Sequence, residues 1–369
     1  MKHTLFLALF LLLMGYIFFR GYHNFAHYPI GKWIYSIAFV ALLLTLFTGF
    51  LGADYLSPNV GGTLSFVGFT FLIAVLYMGV AFLLIDLCRI VNALFIHADA
   101  TLVSTCRMWA NAVSFGIVLI ALMVGNYKFN HPDVTTLAVS AEQSSQNKHL
   151  RIVMASDLHF GNNIRKKEAQ RFVKLINEQA PDIVLLAGDL ADRNMEPFIR
   201  QQIDDDLRQI EAKYGVYGVA GNHEYYADNR HLNFEYYEKS GIQMLFDEAV
   251  LVDSSFYIAG RDDKTNRHRK PLSEIVADLD KQYPVILLDH QPYHLEEAEQ
   301  NGVAMQFSGH THNGQFFPGN LIVKSIYELA YGYKKKGGTH FYVSSGLGIW
   351  GPLYRIGTRS EIVVVEFSF

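Results

Sequence analysis

The first third of the chain contains four segments that are rich in Leu, Ile, Val, Phe and Ala and nearly free of charge. They are Thr4–Phe19, Trp33–Gly52, Phe66–Ile85 and Ala110–Gly125. A helix needs roughly 20 apolar residues to cross a bilayer, and each backbone N–H and C=O must then be paired within the segment. The sequence therefore predicts an N-terminal region of four transmembrane helices, which we assign to residues 1–128.

The first apolar segment has a signal peptide as its alternative interpretation. No small-residue cleavage pattern follows it, because the chain continues with the sequence FFRGY at 18–22. An uncleaved helix is therefore favoured.

The charges of the predicted loops indicate how the chain is oriented in a cell membrane. Four spans place both chain ends on one side. Four basic residues lie in the first and third loops, namely Arg20, Lys32, Arg89 and Arg107, whereas only Lys2 and Lys128 flank the terminal side. Because positive loops remain in the cytoplasm, we expect a multi-pass protein whose C-terminal domain is extracytoplasmic. Loss of one span would reverse this orientation.

The sequence from Phe129 to Phe369 has the pattern of a separate α/β domain. The residues NHPD at 130–133 end the helical pattern, and the polar residues SSQNK at 144–148 predict a turn. Between them, Val134–Ala141 predicts an edge strand. Short apolar runs that are typical of buried strands follow: Arg151–Ala155, Ile183–Ala187, Val216–Ala220, Val285–Leu288 and Glu361–Phe369. Lys166–Gln179 has apolar residues three and four apart, as in a helix packed on a sheet.

Five short motifs bring acidic, amide and imidazole side chains close to the predicted strand ends. They are DLH at 157–159, GD at 188–189, GNHE at 221–224, His290 and GHTH at 309–312. Each motif alone is weak evidence, since Gly, Asp and Asn favour turns for local reasons. Strand ends hold functional loops rigidly, and a mixed Asp, Asn and His set suits Mn, Fe or Zn better than calcium. Glycine beside a ligand in three motifs leaves room where a Cβ would obstruct the turn.

In this order the motifs resemble those of the calcineurin-like metallophosphoesterase superfamily, D-x-H, G-D-x-x-D, G-N-H-[ED], H and G-H-x-H. The resemblance covers about Leu150–Phe369. The stretches LDHQP at 288–292, GHTHNGQ at 309–315 and VSSGLG at 343–348 are similar to its membrane-associated bacterial subgroup. The resemblance implies an α/β sandwich for residues 129–369. Asn313 stands where many members of the subgroup have glycine.

The resemblance also implies a pair of divalent metal ions as cofactors. The first ion would be held by Asp157, His159, Asp189 and His312. The second would be held by Asp189, Asn222, His290 and His310, so that Asp189 bridges the two. The implied reaction is the hydrolysis of a phosphate ester or pyrophosphate bond by in-line attack of a hydroxide that bridges the metals.

Three further residues receive catalytic roles from the resemblance. His223 would act as general acid or hydrogen-bond donor to the leaving group, and Asp192 would fix its tautomer. Arg193 is similar to a phosphate-binding arginine of the phosphoprotein phosphatase branch, although Asn194 replaces the glycine of that branch. A solvated surface arginine is the alternative interpretation of Arg193.

The expected partners are a phosphate-containing substrate and the lipid bilayer, and a lipid or lipid-linked substrate is attractive because the chain is anchored. A net charge of −4 excludes a basic nucleic-acid footprint. Lys334, Lys335 and Lys336 lie among tyrosines, either in a solvated loop or in a rim that meets anionic headgroups.

A membrane sensor or assembly protein with a phosphoesterase-like binding domain is the alternative function. A transporter would need ionisable residues in the middle of its helices. The middle of the predicted helices here contains only small residues such as Ser114 and Gly116.

Overall fold

The fold is described from a computed structural model that covers residues 2–26, 28–141, 148–227 and 230–369. The chain divides into two compact units, Met1–Val124 and Gly125–Phe369. Apart from Lys148, the polar turn predicted at 144–148 lies outside the described residues.

Long helices occupy all four predicted apolar segments. They are α1 (Lys2–Asn24), α2 (Pro29–Leu51), α3 (Pro58–Val91) and α4 (Ala100–Asn130). Within the described residues, three stretches are long and apolar enough to cross a membrane: Pro29–Leu51, Asn59–Ile96 and Ala100–Asn130. Helix α1 lies at the predicted place but is not one of the three, so three candidate spans stand where four were expected.

Glycines allow helices α2 and α3 to pack closely. A Cβ on Gly49 would lie 2.6 Å from the backbone N of Ser65, and one on Gly68 would lie 2.7 Å from that of Leu46. Small residues permit such contacts in membranes, where helix association depends on close packing rather than on the exclusion of water.

The second unit begins with the last residues of α4, and its described residues form two six-stranded sheets. The first sheet has the strand order β1-β12-β2-β3-β4-β5. Its strands are β1 (Asp133–Ser140), β2 (His149–Ala155), β3 (Ile183–Leu186), β4 (Val216–Gly218), β5 (Ile242–Met244) and β12 (Glu361–Ser368). The second sheet has the order β10-β11-β9-β8-β7-β6. Its strands are β6 (Glu248–Val252), β7 (Phe256–Gly260), β8 (Val285–Leu288), β9 (Met305–Ser308), β10 (Gly332–Lys336) and β11 (Thr339–Val343).

Apolar side chains from both sheets form a common core. Ile152 and Leu185 of the first sheet belong to the same buried cluster as Ile286 and Phe307 of the second. The predicted α/β sandwich is therefore confirmed. The predicted strands are present within one or two residues of their expected ends, and β1 is the expected edge strand, parallel to β12.

Eight α-helices complete the part of the second unit that the structure describes. They are α5 (Lys166–Asn177), α6 (Glu196–Arg200), α7 (Ile203–Leu207), α8 (Asn222–Tyr226), α9 (Arg230–Lys239), α10 (Leu272–Ile275), α11 (Leu295–Gln300) and α12 (Gly319–Ile326). Helix α5 confirms the helical spacing, since Ala169, Phe172, Val173 and Ile176 are buried in one cluster with Val153 and Val184. Repeated spacing of three and four residues gives a helix one apolar face for this packing.

The three lysines at 334–336 form part of an edge strand and not the solvated loop expected as the default. They pair with β11 through the register Lys334↔Phe341 to Lys336↔Thr339. Nζ of Lys334 lies 2.8 Å from Oε1 of Glu328, and Nζ of Lys336 lies 3.5 Å from the same oxygen. Lysine is common on edge strands because its charge discourages pairing with another sheet.

Candidate metal centre

The loops that follow neighbouring strands are joined to one another by backbone hydrogen bonds. After β2 and β3, the N–H of Asp157 donates to Gly188 O and the N–H of His159 donates to Asp189 O, both at 3.0 Å. After β8 and β9, the N–H of Gly309 donates to His290 O at 2.9 Å. Each of these loops carries one of the sequence motifs. The N–H of His310 donates to Oδ1 of Asp157 at 3.0 Å, so the two sheets bring together motifs that are 153 positions apart.

Asp157, His159 and His312 form the first group of donors. The Nε2 atoms of His159 and His312 are 3.1 Å apart, and Nε2 of His312 lies 3.4 Å from Oδ1 of Asp157. Asp157 is fully buried. Two imidazoles and one carboxylate thus converge on one point.

Asp189, His290 and His310 form the second group. Nε2 of His290 lies 3.2 Å from Oδ2 of Asp189, and Oδ1 of Asn222 lies 2.7 Å from Nδ1 of His310. Nδ1 of His290 donates to Ala187 O at 2.7 Å. This bond fixes the orientation of the ring and directs Nε2 towards Asp189 and Asn222.

Burial sets the protonation of three of the four candidate imidazole ligands, those of His159, His310 and His312. It lowers the pKa of His159 to about 3, with a further contribution from the charge of His223. It lowers the pKa of His310 to about 4, together with the charge of His290, and it holds that of His312 well below its usual value. These three rings are therefore neutral and have a lone pair to offer.

The carboxylate of Asp189 is ionised in spite of its burial. Burial raises the pKa of this group, but the charge and hydrogen bond of His290 outweigh that effect and hold the pKa well below its usual value. A buried carboxylate needs a compensating positive charge. The charged His290 supplies that compensation here, since its own pKa is raised well above the usual value by Asp189 in spite of burial. A buried set of imidazoles, carboxylates and one amide oxygen fits a divalent metal ion of the Mn, Fe or Zn type, whose charge would replace the proton of His290.

Most of the candidate ligands have a left-handed backbone. The φ angles are 55° for Asp157, 48° for His159, 54° for Asp189, 70° for His310 and 49° for His312. Such angles are uncommon outside glycine and concentrate at functional sites, where the surrounding structure holds them in place. Asn313, at the position where many members of the subgroup have glycine, also has a positive φ of 49°. Asparagine tolerates this conformation better than most residues do.

Two of the motif glycines allow close contact between loops. Gly188 has a φ of +85°, and a Cβ there would lie 2.5 Å from Nδ1 of His290. A Cβ on Gly309 would lie 2.7 Å from Oγ of Ser156 and closer still to Oδ2 of Asp157. Only Gly188 is needed for a left-handed turn. Gly309 is needed for space.

Two of the three predicted catalytic residues, His223 and Asp192, lie beside the donor groups. Nδ1 of His223 is 2.9 Å from Oδ1 of Asp192, and the rings of His223 and His159 are 4.5 Å apart. Burial alone would lower the pKa of His223, but the hydrogen bond and charge of Asp192, with the charge of Asp189, raise it above its usual value. Arg193 is exposed, and its guanidinium lies 5.8 Å from the ring centroid of Tyr226.

Glu224 supports the centre and was not singled out from the sequence. Its buried carboxylate accepts hydrogen bonds from the N–H groups of Gly221 at 2.7 Å and Leu190 at 2.9 Å, and from Tyr237 Oη at 2.9 Å. It thereby joins the Asp189 loop to the Asn222 loop. Its place in the GNHE motif was the available signal.

Arg355 is a second supporting residue that the sequence did not indicate. It is only 1% exposed. Nη1 donates to His312 O at 2.9 Å, and Nη2 donates to Gly346 O at 3.0 Å and to Gly348 O at 2.6 Å. Burial lowers its pKa to about 9. No local pattern distinguishes this arginine from a surface one.

Two facing sheets with buried Asp, His and Asn donors at their strand ends define an α/β protein with the site of a metal-dependent enzyme. Comparison with known proteins narrows this class, since residues 150–314 match the family model of the calcineurin-like phosphoesterases. The chain belongs to the metallophosphoesterase family.

Three relatives illustrate this similarity. A Campylobacter jejuni protein named as a metallophosphoesterase is 30% identical over 91% of this chain and 89% of its own length. A metallophosphoesterase of Aquifex aeolicus is 31% identical over 68% of this chain and 98% of its own length. A zebrafish protein, named as a transmembrane protein with a metallophosphoesterase domain, is 30% identical over 63% of this chain and 56% of its own length. Family membership and the apolar helices support a membrane-associated, metal-dependent phosphoesterase.

Proposed function

We propose that the chain is a membrane-anchored phosphoesterase in which two divalent ions act on one phosphate group. The position of Asp189 carries this proposal. Its Oδ2 lies 3.2 Å from Nε2 of His290 in one donor group and 3.7 Å from Nε2 of His159 in the other. A carboxylate between two donor groups is suited to serve both.

Asp157, His159, Asp189 and His312 would hold one ion, and Asp189, Asn222, His290 and His310 would hold the other. When bound, such a pair lowers the pKa of a water molecule and neutralises charge on the phosphoryl oxygens.

His223 is proposed to donate a proton to the leaving-group oxygen. Its bond to Asp192 occupies Nδ1, so the proton for the leaving group is carried on Nε2. The raised pKa of His223 keeps the ring protonated to a higher pH than a free histidine. Arg193 is proposed to bind a phosphate oxygen, since the Tyr226 ring beneath its guanidinium lies 5.6 Å from the ring of His223.

The proposed substrate is a phosphate ester or pyrophosphate that is attached to a lipid. The second unit begins within α4, a candidate span, so the anchor keeps the enzyme next to the bilayer. The charges of the loops favour an extracytoplasmic domain if α1 also crosses the membrane. A cysteine introduced at exposed Leu251 in intact cells should react with an impermeant maleimide under that orientation and should be protected under the reverse one.

Hydrolysis of two model substrates by the full chain in detergent tests the proposal. We expect Mn or Zn to support cleavage of bis(p-nitrophenyl) phosphate or p-nitrophenyl phosphate, and a chelator to abolish it. Asn222→Ala should abolish activity and reduce the bound metal from two ions per chain to one. His223→Ala should lower kcat by about 10²- to 10⁴-fold with metal content unchanged.

His268→Ala provides the matched control, since His268 is an exposed histidine of the same unit, and it should leave activity unchanged. One bound ion per wild-type chain would contradict the two-metal proposal. Two bound ions without cleavage of either ester or of a vesicle-embedded ester would favour a membrane sensor or assembly protein.

A further inference from the structure

Helix α12 exposes its apolar side chains instead of packing them on the domain. Leu321, Ile322 and Ile326 are 55%, 57% and 58% exposed, and no residue of the helix is buried. Phe317, two residues before the helix, is 52% exposed. Short helices in water depend on packing of their apolar face, so a helix of this composition indicates a surface that is covered by something else. We call Phe317, Leu321, Ile322 and Ile326 the apolar rim.

The apolar rim adjoins the candidate metal centre. His312 is followed after two residues by Gln315, whose side-chain Nε2 donates to Trp350 O at 2.9 Å. The ring of Trp350 is 42% exposed and lies 6.4 Å from the ring of His223. The chain therefore reaches the apolar rim five residues after His312, and Gln315 joins this stretch to Trp350, whose ring lies near the proposed general acid.

The apolar rim is also joined to the end of α4 within the second unit. The N–H of Phe317 donates to Ile356 O at 2.7 Å, and the N–H of Arg355 donates to Gly125 O at 2.9 Å. The side chain of Asn126 donates to Leu353 O at 2.9 Å. Residues 353–356 are therefore hydrogen-bonded both to Phe317 of the rim and to the last residues of the candidate span α4.

The composition of α4 places these contacts at the level of the membrane surface. Between Arg107 and Lys128 the helix has no charged residue, and such a stretch of about 20 residues matches the thickness of the hydrocarbon core. Gly125 and Asn126 therefore lie where the helix leaves the hydrocarbon. With α4 as a span, the segments bonded to these two residues would lie at headgroup depth.

From these contacts we infer that the apolar rim inserts into the lipid surface, so that the metal centre faces the bilayer and acts on the phosphate of an embedded lipid. This inference rests on the proposed phosphoesterase function for the reaction, but not for the insertion. The chemistry of the rim fits lipid. Apolar side chains of a short amphipathic helix enter the interface, Trp350 is of the type enriched there, and Lys324, the one charged residue of α12, can extend to the headgroups.

Lipid quenching of a fluorescent label tests the insertion without any assay of activity. In the full chain with Cys88→Ser and Cys106→Ser, Ile322→Cys is labelled with an environment-sensitive dye and reconstituted in vesicles of phosphatidylethanolamine and phosphatidylglycerol that contain doxyl-labelled lipid. Leu251→Cys is the control, since Leu251 is an apolar residue of β6 that is 45% exposed and does not belong to the apolar rim.

We expect a blue-shifted emission at position 322 and quenching several-fold stronger than at position 251. Equal quenching at both positions would overturn the inference. A blue shift at 322 without lipid quenching would overturn it as well, because a protein surface would then cover the rim.

Activity towards two diesters with the same leaving group tests the link to the substrate. Ile322→Asp should lower turnover of a vesicle-embedded p-nitrophenyl phosphodiester with a long alkyl chain by about 10-fold, the scale of one lost apolar contact. It should change turnover of soluble bis(p-nitrophenyl) phosphate less than about 2-fold. Leu251→Asp should leave both rates unchanged.

Equal loss on both diesters would indicate damage to the site and would overturn the link between the rim and lipid substrates. If the wild-type chain cleaves neither diester, the proposed phosphoesterase function fails, and the label at position 322 still decides whether the rim inserts.

Discussion

Nη1 of Arg355 donates a 2.9 Å hydrogen bond to the carbonyl O of His312, so a buried cation holds the main chain of a candidate metal ligand. The same guanidinium binds two further carbonyls, those of Gly346 and Gly348. The planar fork of arginine suits three fixed acceptors, and lysine cannot reproduce it.

Arg355→Lys should weaken metal binding by about 10- to 100-fold, as is typical when a group that orients metal ligands is changed. Titration of the metal-free full chain with Mn, followed by calorimetry, measures this affinity. Arg359→Lys is the matched control, since Arg359 is 49% exposed and pairs with Asp133 at the surface. Equal affinity in the two variants would show that Arg355 does not position His312.

Glu224→Gln should destabilise the second unit by about 1–3 kcal/mol, because an amide nitrogen would then face backbone N–H donors that lose their acceptor. Burial and the nearby charge of Asp189 raise the pKa of Glu224, so the carboxylate depends on these hydrogen bonds. Chemical unfolding of the full chain in detergent measures the change. Glu235→Gln alters only an exposed pair with Lys239 and should change stability far less.

The alkaline limb of the pH–rate profile should move to lower pH in Asp192→Asn. The pKa of His223 is raised by Asp192, and the proposed acid works only while it is protonated, so activity is present below this pKa and is lost as the pH rises through it. Removal of the carboxylate lowers the pKa and brings that loss to lower pH. Measurement of kcat from about pH 5 to 10 for the wild-type chain and Asp192→Asn tests this prediction. If the loss of activity occurs at the same pH in both, a group other than His223 causes that loss.

Gly309→Ala should abolish metal binding, because the new methyl group would overlap with Asp157 and Ser156. Gly116→Ala is the matched control, as no atom lies within 4 Å of the position that its Cβ would take, and alanine favours a helix over glycine. Metal content by mass spectrometry compares the two. Full metal content in Gly309→Ala would show that the loops can separate without loss of the site.

Much of the fold could be predicted because its signals are local. The apolar run of β3 and the spacing of Ala169, Phe172 and Ile176 in α5 depend only on the period of the backbone. The motif residues could be assembled through their resemblance to a known family. The lysines at 334–336 could not be placed in a strand in this way, since their pairing with β11 is made across the chain.

The supporting residues could not be predicted, because burial of a charge depends on partners that are distant in sequence. Arg355 looks like a surface arginine until the carbonyls of His312 and Gly348 surround it. No sequence motif marks the apolar residues of α12, and only the structure shows that Ile322 and Ile326 are exposed.

By itself, the sequence determined the apolar helices, six of the strands and the residue types available to bind metal, because each follows from local composition and period. Only the tertiary structure decided that Asp189 lies between two groups of imidazoles and that Glu224 and Arg355 hold their loops. These relationships are distances between segments brought together by the packing of two sheets, and no local pattern encodes them.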